Sequence, residues 1–157
     1  MLSQDSLQKI DGELAKYPKE QNRSAVMAAL RIAQVEKGWL STELIKYVAD
    51  YIKIPPVQAL EVATFYGMYN LTPVGKYKLT LCTNLPCALS GAMSVADYLK
   101  KRLNIGFGET TKDGKYTLVQ GECMGACGDA PVILVNNHKM CSHMSEEAIE
   151  NKLAELQ

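Results

Sequence analysis

Two short-spaced cysteine pairs, Cys82-x4-Cys87 and Cys123-x3-Cys127, constrain this 157-residue chain more than any other feature. Each pair sits in turn-forming company: Cys82-Thr-Asn-Leu-Pro-Cys87 in the first, Cys123-Met-Gly-Ala-Cys127-Gly128 in the second. Between them lie 35 residues, so the folded chain can bring both pairs to one point. Four thiolates converging on one point make a soft-metal site. Any fold for this sequence must therefore hold two cysteine loops side by side.

The rest of the composition narrows the class. Hydrophobic residues make up 47% and charged residues 22%, as in ordinary soluble domains, and the length suits one domain or two small ones. Basic and acidic residues balance at 17 each, which gives no bias toward nucleic acid or an anionic membrane. No apolar run approaches the roughly 20 residues of a membrane span. The first residues, Met-Leu-Ser-Gln-Asp-Ser-Leu-Gln, lack the basic and apolar blocks of a secretory signal. The chain reads as cytoplasmic, where thiols stay reduced, so its five cysteines do not read as a disulfide framework.

Periodicity divides the chain at Asn70-Leu-Thr-Pro-Val-Gly75 into an all-helical segment, 1–72, and an α/β segment, 73–157. Helices are expected over Ser6–Tyr17, stopped by Pro18; Arg23–Glu36, with Val26, Met27, Leu30, Ala33 and Val35 as its stripe and Gly38 as its cap; from Ser41 or Thr42 until Pro55-Pro56 ends it, with Leu44, Tyr47, Val48, Tyr51 and Ile52 at helical spacing; and Val57–Met68, apolar on more than one face. Trp39 is expected in the small core of this half. Phe65 and Tyr66 fit a core or a partner-facing surface equally.

In the second half Lys76-Tyr-Lys-Leu-Thr-Leu81 alternates as a strand and runs into Cys82. A helix over Ser90–Leu103 and strands at Tyr116–Gln120, Pro131–Val135 and His138–Cys141 follow, with Asn136-Asn137 as a hairpin turn. Ser145-Glu-Glu opens a last helix with a capping hydroxyl and two acids. The order is β-α-β-β-β-α, and each cysteine pair lies on a loop just after a strand.

Three chemistries use four such thiols. A structural zinc site favours tighter C-x2-C knuckles. A dithiol oxidoreductase needs C-x-x-C, which neither pair has. A [2Fe–2S] cluster takes four thiolates and tolerates wider loops. Pro86 stiffens the first loop, and Gly125 and Gly128 are expected to give the second its backbone freedom. Glu122 and Asp129 lie beside the second pair, and neither loop carries a lysine or arginine. They tune a cluster or are solvated loop acids. A centre of two ferric ions, two sulfides and four thiolates already carries two negative charges, so a low potential is expected within the range of about −700 to +450 mV.

An ordered set of motifs then points to a family. Gly38-Trp-Leu-Ser41, Glu61-Val-Ala-Thr-Phe-Tyr66, Pro73-Val-Gly-Lys76, Cys82-Thr-Asn-Leu-Pro-Cys87, Gly108-Glu-Thr-Thr111 and Glu122-Cys-Met-Gly-Ala-Cys127 span nearly the whole chain. In them the chain resembles the [2Fe–2S] subunit of the NADH-dehydrogenase module of respiratory complex I. The resemblance implies an N-terminal helical bundle and a C-terminal thioredoxin-like domain. It makes Cys82, Cys87, Cys123 and Cys127 the four ligands of one [2Fe–2S] cluster. It also implies a partner flavoprotein that binds FMN and NADH, other subunits of the complex's peripheral arm, and a place at the cytoplasmic face of the membrane with no span of its own. Relatives serve the diaphorase modules of NAD-linked hydrogenases and formate dehydrogenases. A zinc-stapled assembly module without redox chemistry is the alternative from another class. No glycine-rich dinucleotide fingerprint occurs in the chain, consistent with a partner that supplies the nucleotide site. Cys141 departs from the family's more frequent aromatic and reads as a small buried residue. His138 and His143 read as surface histidines rather than metal ligands with it.

Overall fold

The computed structural model describes residues 1–156. It divides into two compact units, Met1–Pro73 and a second that begins at Val74.

The first unit holds α1 (Gln4–Leu14), a 3₁₀ segment (Lys19–Ala25), α2 (Val26–Lys37), α3 (Thr42–Tyr51) and α4 (Pro56–Phe65). Ser3 and Ser41 accept hydrogen bonds from Ser6 N–H and Leu44 N–H, capping α1 and α3. Gly38 ends α2 with φ +82°, as its sequence position predicts. Helix α1 stops at Leu14 rather than Tyr17. Lys16 and Tyr17 donate to Glu13 O and Leu14 O, a tightened turn that leads into Pro18. Residues 23–25, expected in α2, belong instead to the 3₁₀ segment, which kinks at Gln21.

The core of this unit is built on Ile10, Leu30, Leu40, Val48 and Ile52, each 1% exposed or less. Several expected core positions lie outside it. Val35 is 82% exposed. On α3 the buried stripe is Ile45, Val48, Ala49 and Ile52, with Leu44 and Tyr47 only partly covered. Trp39 is half-buried in the wall of an open pocket of about 490 Å³ shared with Leu44 and Tyr47, and its neighbour Leu40 takes the core position. Glu36 ties the start of α1 to the end of α2: its carboxylate accepts from Ser3 N–H at 3.0 and 3.1 Å and from Ser3 Oγ at 2.9 Å. The Lys37 ammonium, then Ser6 and Ser3, hold its pKa down at about 2.

The second unit runs β1 (Tyr77–Cys82), α5 (Leu85–Leu89), α6 (Ala92–Leu103), β2 (Tyr116–Gly121), a 3₁₀ turn (Cys127–Asp129), β3 (Ile133–Val135), β4 (Lys139–Cys141) and α7 (Glu146–Glu155). The sheet order is β2-β1-β3-β4. Strands β1 and β2 are parallel, from Tyr77 opposite Tyr116 to Cys82 opposite Gly121. Parallel neighbours need a crossover, which α5 and α6 supply. Strand β3 runs antiparallel to β1 and to β4. Asn136 and Asn137 turn the last hairpin with φ +51° and +57°, a conformation asparagine tolerates.

One sheet face presents Leu79, Leu81, Leu118, Ile133 and Val135, and these form the core with Val95 and Leu99 of α6 and Ile149 and Leu153 of α7. Arg102 and Tyr98 of α6 both reach Glu150 of α7, at 2.7 and 2.8 Å. Lys78 and Thr80 alternate to the opposite face. There Lys78 is nonetheless only 5% exposed, where alternation predicts a solvated side chain, and burial pushes its pKa below the usual lysine range.

Candidate metal centre

The last rung between β1 and β2 places the two cysteine loops side by side. Cys82 ends β1 opposite Gly121, which ends β2, and its N–H donates to Val132 O at 3.1 Å. Gly121 has no room for a side chain. A Cβ there would lie 2.6 Å from Thr80 Cγ2, 3.0 Å from Met124 Cε and 3.3 Å from Leu81 O. Both loops leave the sheet from this close-packed rung.

The first loop is not irregular, as its composition implies. Residues Leu85–Leu89 form one short helix, α5, with Asn84 at its N-cap position and Pro86 in its first turn. The Asn-Leu-Pro order carries that signal, since asparagine favours the N-cap and proline tolerates the first turn. The helix turns Cys87 inward, so Cys82 and Cys87 are each 2% exposed. The second loop turns at Gly125, whose φ of +71° suits glycine. Its N–H donates to Cys123 Sγ at 3.4 Å. Gly128, expected to need the same freedom, does not take a positive φ. Cys123 and Cys127 are both exposed.

The four thiols sense one another. The Cys82 thiol raises the pKa of Cys87, and the Cys123 thiol raises that of Cys127. Across the pairs, Cys127 interacts with both Cys82 and Cys87. Burial and then the Cys82 thiol push the Cys87 pKa up, and the N–H of Val132 opposes that rise. Local desolvation and then Cys123 push up the Cys127 thiol. Among the described residues, no three His, Cys, Asp or Glu side chains stand where they would close on a single metal ion. The thiols stand instead as two pairs, one per loop.

Side chains bridge the loops. Gln120 Nε2 donates to Thr83 Oγ1 at 2.9 Å, and Asn84 Nδ2 donates to Glu122 Oε2 at 3.1 Å. Nothing in the spacing of the motifs announces these bridges, because they join residues nearly forty positions apart. Asp129 stands 3.8 Å from His143 Nε2, and both are exposed. Cys141 is buried among the core residues of the sheet, and His138 is exposed at the hairpin. Phe65 and Tyr66 lie outside the core of the first unit, 78% and 40% exposed.

A sheet that opens a pair of cysteine loops at the ends of adjacent parallel strands offers two thiol pairs to a soft metal centre. The chain belongs to the thioredoxin-like [2Fe–2S] ferredoxin family, whose pattern it matches over residues 10–157. It is 46% identical over 125 residues to a NADH-quinone oxidoreductase subunit of Rickettsia prowazekii, covering 79% of this chain and 71% of that one. It is 40% identical over 147 residues to a NADH-quinone oxidoreductase subunit of Thermus thermophilus, covering 94% and 81%. Among solved structures, the air-oxidized state of an NAD+-reducing [NiFe]-hydrogenase superposes with a TM-score of 0.73 at 20% identity. That match covers 90% of this chain and 24% of the hydrogenase chain, so the likeness is one of fold.

The family's cofactor is a [2Fe–2S] cluster, and the residues present fit one. The donors are soft thiols, and they come two per loop, as a two-iron centre divides its four ligands. The Gly125 N–H already donates to Cys123 Sγ, and the Val132 backbone lowers the pKa of the Cys87 thiol. Donors of that kind tune such centres.

Proposed function

We propose that this chain is the electron-transfer subunit of an NADH:quinone oxidoreductase, holding one [2Fe–2S] cluster through Cys82, Cys87, Cys123 and Cys127. The observation that carries this reading is the pair of cysteine loops leaving the ends of β1 and β2 from the Cys82–Gly121 rung, within a chain whose relatives are named as subunits of that enzyme. We propose also that residues 1–72 and 73–157 fold as separate domains.

When bound, the cluster supplies one-electron chemistry with all its protein positions filled. The chain's own residues supply the rest. The burial of Cys82 and Cys87 keeps water from one side of the site, and the exposed Cys123 and Cys127 leave the other side open to a partner. Val132 N–H and Gly125 N–H stabilise negative charge on Cys87 and Cys123. Glu122 and Asp129 are the charged residues of the second loop, and no lysine or arginine offsets them there. An FMN that would supply the electrons belongs to a partner flavoprotein that also binds NADH, and the remaining partners are subunits of the same peripheral arm. No helix among the described residues is long and apolar enough to cross a membrane. The chain's place is at the cytoplasmic face of the membrane, held there through the complex.

The flavoprotein dependence is directly testable. With the chain's anaerobically purified holo form, NADH alone leaves the visible spectrum unchanged, and adding the flavoprotein bleaches it. Bleaching by NADH without the flavoprotein would contradict the division of labour. No bleaching with both present would contradict the partnership.

A further inference from the structure

Asn84 sits at the N-cap position of α5 but makes no capping hydrogen bond. Asparagine is favoured at that position because its side chain satisfies a free helix N–H. Here its amide is turned away and donated across the gap between the cysteine loops to Glu122 Oε2, at 3.1 Å. The gap needs closing, because the backbone ladder weakens as the strands end. Beyond the Cys82–Gly121 rung, the backbone bond that joins the two loops among the described residues is Thr83 N–H to Gly121 O, stretched to 3.4 Å. Gln120 Nε2 to Thr83 Oγ1 crosses the same gap at 2.9 Å. Glu122 immediately precedes Cys123, and Asn84 lies between Cys82 and Cys87, so this bridge joins one cysteine pair directly to the other.

We infer that Asn84 and Glu122 form a latch that sets the separation of the two cysteine loops, and that the latch fixes the Glu122 carboxylate beside the second pair. Both are positioning residues: they act through the cysteines and touch no substrate. The latch's effect on the cluster rests on the four-cysteine ligand reading, but the latch itself is a property of the metal-free chain. Holding the loops slows loss of whatever they enclose. A carboxylate held beside an already negative centre disfavours adding an electron.

Four variants separate these roles. Asn84→Ala removes the donor and keeps the charge. Iron loss to a chelator should then quicken about fivefold, the value of one hydrogen bond of about 1 kcal/mol. Glu122→Gln removes the charge but keeps an amide oxygen for Asn84 to donate to. It should shift the midpoint potential positive while iron loss stays near the wild-type rate. The double variant Asn84→Asp with Glu122→Gln exchanges donor and acceptor and should restore the wild-type loss rate, whereas Asn84→Asp alone opposes two carboxylates and should lose iron fastest. Loss rates that add independently in the double variant would overturn the latch. An unchanged potential in Glu122→Gln would overturn the role of the carboxylate. In the metal-free chain, Asn84→Ala should speed amide hydrogen exchange over residues 122–127, and unchanged exchange there would also overturn the latch. Iron content of the wild-type protein tests the ligand reading separately, so failure of one is distinguishable from failure of the other.

Discussion

Cys87→Ser is expected to abolish the visible absorbance and EPR signal of the wild-type cluster or replace them with those of an altered centre, and Cys141→Ser is expected to leave both intact. The two cysteines are alike in burial, 2% and 6% exposed, so accessibility does not separate them. Their surroundings do. Burial, the Cys82 thiol and Cys127 push the Cys87 pKa up, and the Val132 backbone opposes them. Cys141 lies on β4 opposite Ile133, within the core cluster, and its thiol makes a long 4.0 Å contact with Lys139 O. Serine offers iron a hard oxygen of high pKa in place of a soft thiolate, and a ligand must be deprotonated to bind. The same change at Cys141 costs stability, because it buries a hydroxyl among apolar neighbours, on the order of 1–3 kcal/mol. It removes no ligand. A Cys141→Ser protein that purified without colour would contradict the ligand set.

Leu118→Ala is the second large effect. Leu118 is completely buried on β2 and is paired in register with Leu79 of β1. Removing its side chain loses transfer energy and leaves a cavity, together about 2–5 kcal/mol. That is a large part of the roughly 5–15 kcal/mol that holds a typical domain together. The loss should appear in one half of the chain. Trp39 is the sole tryptophan and lies in the first unit, so its fluorescence reports that unit during urea unfolding. In Leu118→Ala the cluster absorbance should disappear at lower urea while the Trp39 transition keeps its midpoint. Equal shifts of both transitions would contradict two separately folding domains.

How much of this is legible in the sequence follows from where the information lies. Alternation over residues 76–81 and the apolar register of α6 depend on neighbours a few positions away, and both elements form close to where those patterns put them. Helix α3 also forms where its pattern predicts, but its buried stripe is shifted by one position: Ile45 and Ala49 are buried and Leu44 and Tyr47 only partly. A pattern of Leu and Tyr at helical spacing cannot reveal which flank the other helices cover. The same holds for Trp39, whose size suggests a core that Leu40 in fact occupies. Lys78 reads as solvated by alternation, yet it is buried on the opposite sheet face, because burial there depends on non-local packing.

At the site, the four cysteines stand out through spacing and loop composition, which are local signals. The short helix that carries Cys87 is signalled by Asn-Leu-Pro, although the composition of that segment reads first as a turn. The Val132 amide beside Cys87 and the bridge from Asn84 to Glu122 bring together residues 45 and 38 positions apart, and only the fold shows them.

The most direct test of the central claim is the metal content of the anaerobically purified chain, with iron, zinc and acid-labile sulfide measured on one sample alongside its EPR spectrum after reduction. The expected result is two irons and two sulfides per chain, no stoichiometric zinc, and a spin-one-half signal that appears on reduction. A colourless protein carrying one zinc per chain, without iron or sulfide, would contradict it.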